Sequence, residues 1–159
     1  MAKSVDGPTY GMRAPRRQIG PDTAFGPASR SGDNTENVSV VRSKLPRGFT
    51  LRGNLGSPTN AAQRLLDTAI APEGSGKTAR LLGAREEERG SPSRPYYVFE
   101  YYLRRPDGRE IRNIAVIAAA SAGAGGEEEL FTLTVLAPEA EWESKRTELE
   151  KMAATFRLL

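Results

Sequence analysis

Ala71-Pro72-Glu73-Gly74-Ser75-Gly76-Lys77-Thr78 is the stretch whose residue types and spacing best suit a chemical task. It fits the loose form of a phosphate-binding loop, with Ala in the place of the first Gly, four free positions and then Gly-Lys-Thr. Such a loop wraps a phosphate in backbone N–H groups, while its Lys reaches the terminal oxygens and its hydroxyl holds Mg²⁺. The chemistry needs a buried strand before the loop and a helix after it, so that the helix N-terminus faces the anion. Here the patterns stand in the reverse order, a helix before and a strand after. The loop is therefore expected to turn the chain from helix to sheet, with nucleotide binding through Lys77 and Thr78 as a distant alternative.

Two acidic runs, Glu86-Glu87-Glu88 and Glu127-Glu128-Glu129, offer the oxygen ligands that a hard cation such as Ca²⁺ prefers. Neither has the alternating spacing and glycine of an EF-hand loop, and both read as solvated surface. Arg13, Arg16 and Arg17 cluster near the N-terminus, either as a solvated edge or as a contact for an acidic partner. Trp142, the single Trp, follows Glu139 and Glu141. The carboxylates suit the start of a helix, and the indole is expected to pack on a sheet.

What is missing is equally informative. The 159 residues include no Cys and no His, which removes disulfides, thiolate metal sites, thiol nucleophiles and the usual general base. The net charge of +3 is small, and the basic residues form no stripe interleaved with aromatics of the kind nucleic-acid binding requires. No apolar run approaches the ~20 residues of a membrane-spanning helix. The N-terminal stretch has no apolar h-region, so any targeting peptide is expected outside this chain or already removed. At 38% hydrophobic content the chain reads as a soluble, non-catalytic protein with one core.

The elements that would carry these residues can be read from periodicity. Tyr96–Leu103 is an aromatic, β-branched run suited to a strand, and Arg105-Pro106-Asp107-Gly108 has the residues of a reverse turn. Ile111–Ile117 and Glu129–Leu136 continue a meander, with a flexible Ala/Gly/Ser loop expected over 118–126. After Pro138 the period changes to that of a helix with Trp142, Leu149, Met152, Ala153 and Phe156 on one face. Upstream, Tyr10–Pro15, Asp22–Phe25 and Asn37–Ser43 are expected as strands, Ser29–Glu36 as a polar turn and Lys44–Asn54 as a loop. Ser57-Pro58 should start a helix to about Ile70, since Ser caps free N–H groups and Pro at the first position loses no hydrogen bond. Its inward stripe would be Ala62, Leu65, Leu66 and Ala69. Thr78–Glu86 is expected as a strand and Glu87–Pro95 as a charged turn. Strands, a helix, more strands and a closing amphipathic helix make an α+β fold.

Several of these strings resemble the PsbP family of extrinsic thylakoid-lumen proteins. They are Tyr96–Tyr101, Phe131-Thr132-Leu133-Thr134, Ala137-Pro138-Glu139, Trp142 and Phe156, preceded by Glu36–Val41, Leu55–Pro58 and Ala69–Pro72, with Tyr10–Pro15 at the opening. The resemblance implies a single domain over 10–159 behind a flexible 1–9, built as an α/β/α sandwich around a mainly antiparallel sheet. It implies a non-catalytic extrinsic subunit, peripheral on the lumenal face of photosystem II in the chloroplast thylakoid lumen. There it would stabilise the oxygen-evolving complex and help retain Ca²⁺ and Cl⁻ in the partner, with no cofactor of its own. The alternative it implies is an assembly or accessory factor for photosystem I, photosystem II or the NADH dehydrogenase-like complex. Partners would be the photosystem complex and other extrinsic subunits, met through Arg13, Arg16, Arg17, Arg42 and Lys44. The family often carries a His in the middle strand of the meander, where this chain has Arg112 and Asn113.

Overall fold

The computed structural model describes residues 23–25, 37–122 and 127–159. The expected strand at Tyr10–Pro15, the turn at Ser29–Glu36, the flexible residues 1–9 and the basic cluster Arg13, Arg16 and Arg17 lie outside them.

Alternation decides which way the aromatic run faces. In β4 (Arg94–Arg104), Tyr96 and Val98 pack on one side while Tyr97, Phe99 and Tyr101 pack on the other, and all five are buried. A strand buried on both faces needs a layer on each side. The strands β1 (Thr23–Phe25), β2 (Asn37–Leu45), β3 (Thr78–Arg89), β4, β5 (Glu110–Ala122) and β6 (Glu127–Pro138) form one six-stranded sheet in the order β1-β2-β6-β5-β4-β3. Every pairing is antiparallel.

The two layers come from two helices. α1 (Pro58–Leu65) continues as a wide helical turn through Ile70. It starts where the sequence indicates: the Ser57 side chain accepts a hydrogen bond from the Asn60 N–H at 3.2 Å, with Pro58 at the first position. Gly56 before it has φ +79°, a backbone suited to glycine, and its carbonyl accepts the Tyr97 hydroxyl at 2.7 Å. Ala61, Ala62, Leu66 and Leu51 seal one face of the sheet over Tyr97, Phe99, Tyr101, Ala115 and Ile117. α2 (Trp142–Thr155), entered through a 3-10 turn at Glu139–Glu141, covers the other face. Its Trp142, Leu149 and Ala153 pack on Tyr96, Val98, Ile114, Val116, Leu133 and Val135. The fold is therefore α+β, an α/β/α sandwich closed by the C-terminal helix.

The structure corrects several boundaries. β3 runs on through Glu87–Arg89, where a charged turn was expected, because its charges pair with neighbours. The turn shrinks to Gly90–Ser93. β5 takes in Ala118–Ala122 of the expected flexible loop, with Ala118–Ala120 opposite Phe131, Leu130 and Glu129; residues 123–126 lie outside the described set. Inside Lys44–Asn54, β2 extends to Leu45 and Leu51–Leu55 forms a single wide helical turn capped by Thr50. The stripe of α1 is Ala61, Ala62 and Leu66 with Leu65 half-buried, and Ala69 is exposed. Widening of the helix after Leu65 rotates Ala69 off the core. Met152 is also exposed, at 46%, beside the buried Ala153, and Phe156 lies past the helix end in extended backbone.

Candidate functional site

Arg42 and Lys44 occupy one face of β2, opposite Phe131 and Glu129 of β6. Arg42 Nη1 lies 3.9 Å from Glu129 and Lys44 Nζ 3.7 Å from Glu127. The structure thus brings two of the expected docking cations onto the second acidic run. Exposed pairs at such distances contribute only ~0–1 kcal/mol each, so they hold these side chains loosely.

The first acidic run is met more closely. Glu86 pairs with Arg52, Glu87 with Arg85 at 2.6 Å and Arg89 at 2.7 Å, and Glu88 accepts a hydrogen bond from Ser93 at 2.7 Å. Successive residues of a strand point to opposite faces, so the three carboxylates cannot converge on one ion. Among the described residues no group of three His, Cys, Asp or Glu gathers as a metal site.

Arg112 stands on β5 where its guanidinium reaches both flanks. Nη1 donates to Glu100 at 2.8 Å, Nε donates to Glu139 at 2.9 Å, and the group lies 5.4 Å over the Trp142 ring. Hydrogen bonding to Glu139 drives its pKa up against the opposing effect of burial, with Glu100 adding to the rise. It is a fixed cation that ties the start of α2 to β4 and β5. On the other face, Asn113 is buried opposite Tyr101, whose phenol burial pushes up to about 12. A phenol so disposed stays protonated near neutrality and cannot serve as a base.

Arg89 escaped the sequence reading because it sits in a stretch that reads as a charged turn. Its side chain is buried. Nη1 donates to the Ala153 carbonyl at 2.8 Å and the Phe156 carbonyl at 3.1 Å, satisfying the end of α2. Nη2 and Nε donate to Glu87 at 2.7 and 3.0 Å, and the guanidinium lies 5.2 Å over Tyr96. Tyr96 in turn accepts the Leu158 N–H at 2.8 Å and meets Phe156 edge-on. The only advance signal was a cation flanking an acidic run, which many solvated loops share.

The 71–78 stretch behaves as a turn. The Ser75 N–H donates to the Pro72 carbonyl at 3.0 Å and the Lys77 N–H to Ser75 Oγ at 3.2 Å. Thr78 then opens β3, the edge strand. With a strand in place of a helix after Lys77, no helix N-terminus faces the loop, and the nucleotide-binding alternative lacks its main source of anion affinity.

Comparison with known proteins extends this description. The sequence model of the PsbP family matches residues 11–158. CyanoP from Thermosynechococcus vestitus (strain BP-1) is 30% identical over 125 residues, 78% of this chain and 65% of that protein. The chloroplastic PsbP domain-containing protein 7 of Arabidopsis thaliana is 29% identical over 143 residues, 87% of this chain and 46% of that protein. The chain thus spans less than two thirds of the length of either curated relative. The solution structure of CyanoP from Synechocystis sp. PCC 6803 superposes with a TM-score of 0.61 at 22% identity, covering 88% of this chain and 84% of that one. At that identity the match describes the fold alone.

Proposed function

Because this chain belongs to the PsbP family, we propose that it is a non-catalytic extrinsic subunit on the lumenal face of photosystem II. In this role it stabilises the oxygen-evolving complex and helps to retain Ca²⁺ and Cl⁻ in that complex, with no cofactor held in its own fold. The observation that carries the reading is the family match over residues 11–158. The interior chemistry supports it: Arg112 and Arg89, the cations drawn into the fold, are held by Glu100, Glu139 and Glu87 and serve to fix α2. No described helix is long and apolar enough to cross a membrane, and attachment is assigned to contacts with the photosystem and its other extrinsic subunits.

Similarity to PsbP domain-containing protein 7 supports a second reading, an accessory or assembly factor that binds photosynthetic complexes transiently. Fractionation of thylakoid membranes, with mass spectrometry of each complex and of the free lumenal pool, separates the two. Near-stoichiometric co-migration with mature photosystem II, released by salt, is the expected result. Trace amounts on intermediates would favour the accessory factor, and absence from the lumen would overturn both readings.

A further inference from the structure

We infer that the chain docks through the end of the sheet where the 71–77 loop, the start of β3 and the β4–β5 turn meet, and that this end fits an acidic protein face. The inference rests on the extrinsic-subunit reading and names the surface that reading needs.

Three observations converge there. The first is placement. The register sets Thr78 opposite Arg104, Arg80 opposite Tyr102 and Arg104 opposite Glu110. Lys77, Arg80, Arg104, Arg105 and Arg109 therefore share one corner, where the acidic residues of the same described segments are Glu73, Asp107 and Glu110. Lys77, Arg80, Arg104 and Arg109 are exposed, and Lys77 and Arg104 form no ion pair among the described residues. At the opposite end of the sheet the carboxylates of both acidic runs face Arg42, Lys44, Arg52, Arg85 and Arg89.

The second observation is rigidity. The Arg105 N–H donates to the Arg109 carbonyl at 2.8 Å, the Gly108 N–H to the Arg105 carbonyl at 2.9 Å, and the Arg109 N–H to Asp107 Oδ1 at 3.0 Å. The two loops also touch: a Cβ on Gly76, whose φ is +72°, would stand 3.2 Å from Pro106 Cγ. Arg80 is held 5.5 Å over the Tyr102 ring, whose hydroxyl donates to Glu110 at 2.6 Å. Cations carried on closed turns lose less freedom on binding than cations on open loops.

The third observation selects the partner. Four of the five cations are arginines, whose planar fork matches carboxylates two bonds at a time. A membrane surface would be expected to take apolar side chains as well. Of the large apolar residues exposed among the described residues, Met152 and Leu159 lie in and after α2 and only Leu82, two places beyond Arg80 on β3, borders this corner. The geometry thus fits a carboxylate-bearing protein face.

The test is rebinding to photosynthetic membranes stripped by a salt wash, with dissociation constants measured at low ionic strength and release followed against NaCl. The triple variant Lys77→Gln, Arg104→Gln, Arg105→Gln should bind about tenfold more weakly and release at lower salt. A charge-matched control, Arg47→Gln, Arg64→Gln, Arg157→Gln, should stay within about twofold of the parent. Should the triple variant fold poorly, the single reversal Lys77→Glu at an exposed turn should still weaken binding about threefold. Parent-like binding by the folded tip variants would overturn the docking surface and leave the extrinsic-subunit reading standing. Failure of the parent chain to bind stripped membranes would overturn both. Equally tight, tip-dependent binding to protein-free vesicles of anionic lipid would overturn the assignment to a protein face.

Discussion

The two faces of the sheet are closed by different physics. Over Tyr97, Phe99 and Tyr101, α1 presents the small side chains Ala61 and Ala62, so the helix backbone comes close and the aromatic bulk is supplied by the sheet. On the other face, apart from Tyr96 at one end, the sheet supplies aliphatic residues, Val98, Ile114, Val116 and Val135, and α2 supplies the bulk through Trp142. Polar fastening differs in the same way. The α1 face has a cap at Ser57 and one hydroxyl bond from Tyr97 to Gly56, whereas the α2 face is pinned at both ends by guanidinium groups, Arg112 at the start and Arg89 at the finish. A helix held by small residues tolerates little added volume; one held by a single large residue and two cations is sensitive to removal.

Substitutions can break that contrast. Trp142→Ala should be the most damaging, because it removes a fully buried ring and the platform under Arg112; the expected loss in urea unfolding is about 3–5 kcal/mol. Ala62→Leu on the other face adds volume to a filled site and should destabilise by about 1–3 kcal/mol. Parent-like stability of Ala62→Leu, or of Trp142→Ala, would break the contrast between the faces. The smallest expected effect is that of acid. Burial acts to raise the Glu87 carboxyl, but hydrogen bonds and charge from Arg89 and Arg85 outweigh it and hold it below its ordinary 4.5. A carboxyl lowered by folding adds stability above its unfolded pKa and loses it as pH falls through the folded value. Hydrogen exchange at amides 153–158 should therefore accelerate as pH drops below about 4.5, after correction for intrinsic rates, while amides 61–66 lag behind. Glu87→Gln should abolish that difference.

The strands of the meander and the start of α1 were legible because their signals are local: aromatic alternation over Tyr96–Tyr102, the turn at Pro106-Asp107-Gly108, Ser57 before Pro58. The family resemblance was legible in the same strings. What could not be read depends on neighbours distant in sequence. Glu87–Arg89 looks like a solvated turn until β4 and the end of α2 supply its partners, and Ala118–Ala122 looks flexible until β6 lies beside it. The register shift between Leu81 and Gly83, which leaves Leu81 and Ala84 packed on the same face, breaks simple alternation as bulges do. Local clusters of basic residues are a poor guide to where cations gather on the folded surface. Arg42 and Lys44 lie across from carboxylates, and the corner that gathers Lys77, Arg80 and Arg104 is assembled from segments more than twenty residues apart.

The strand order also sets a schedule for biosynthesis. β2 precedes α1 in the chain, yet its long partner is β6, the last of the described strands in sequence. At ribosomal rates this interval lasts on the order of ten seconds. β3, β4 and β5 can pair as hairpins in the order they emerge, while Val38 and Val40 wait for β6 and α2 to cover them. The nascent chain therefore carries an apolar strand edge until β6 has emerged, and a holdase that recognises extended apolar segments would find its target at β2.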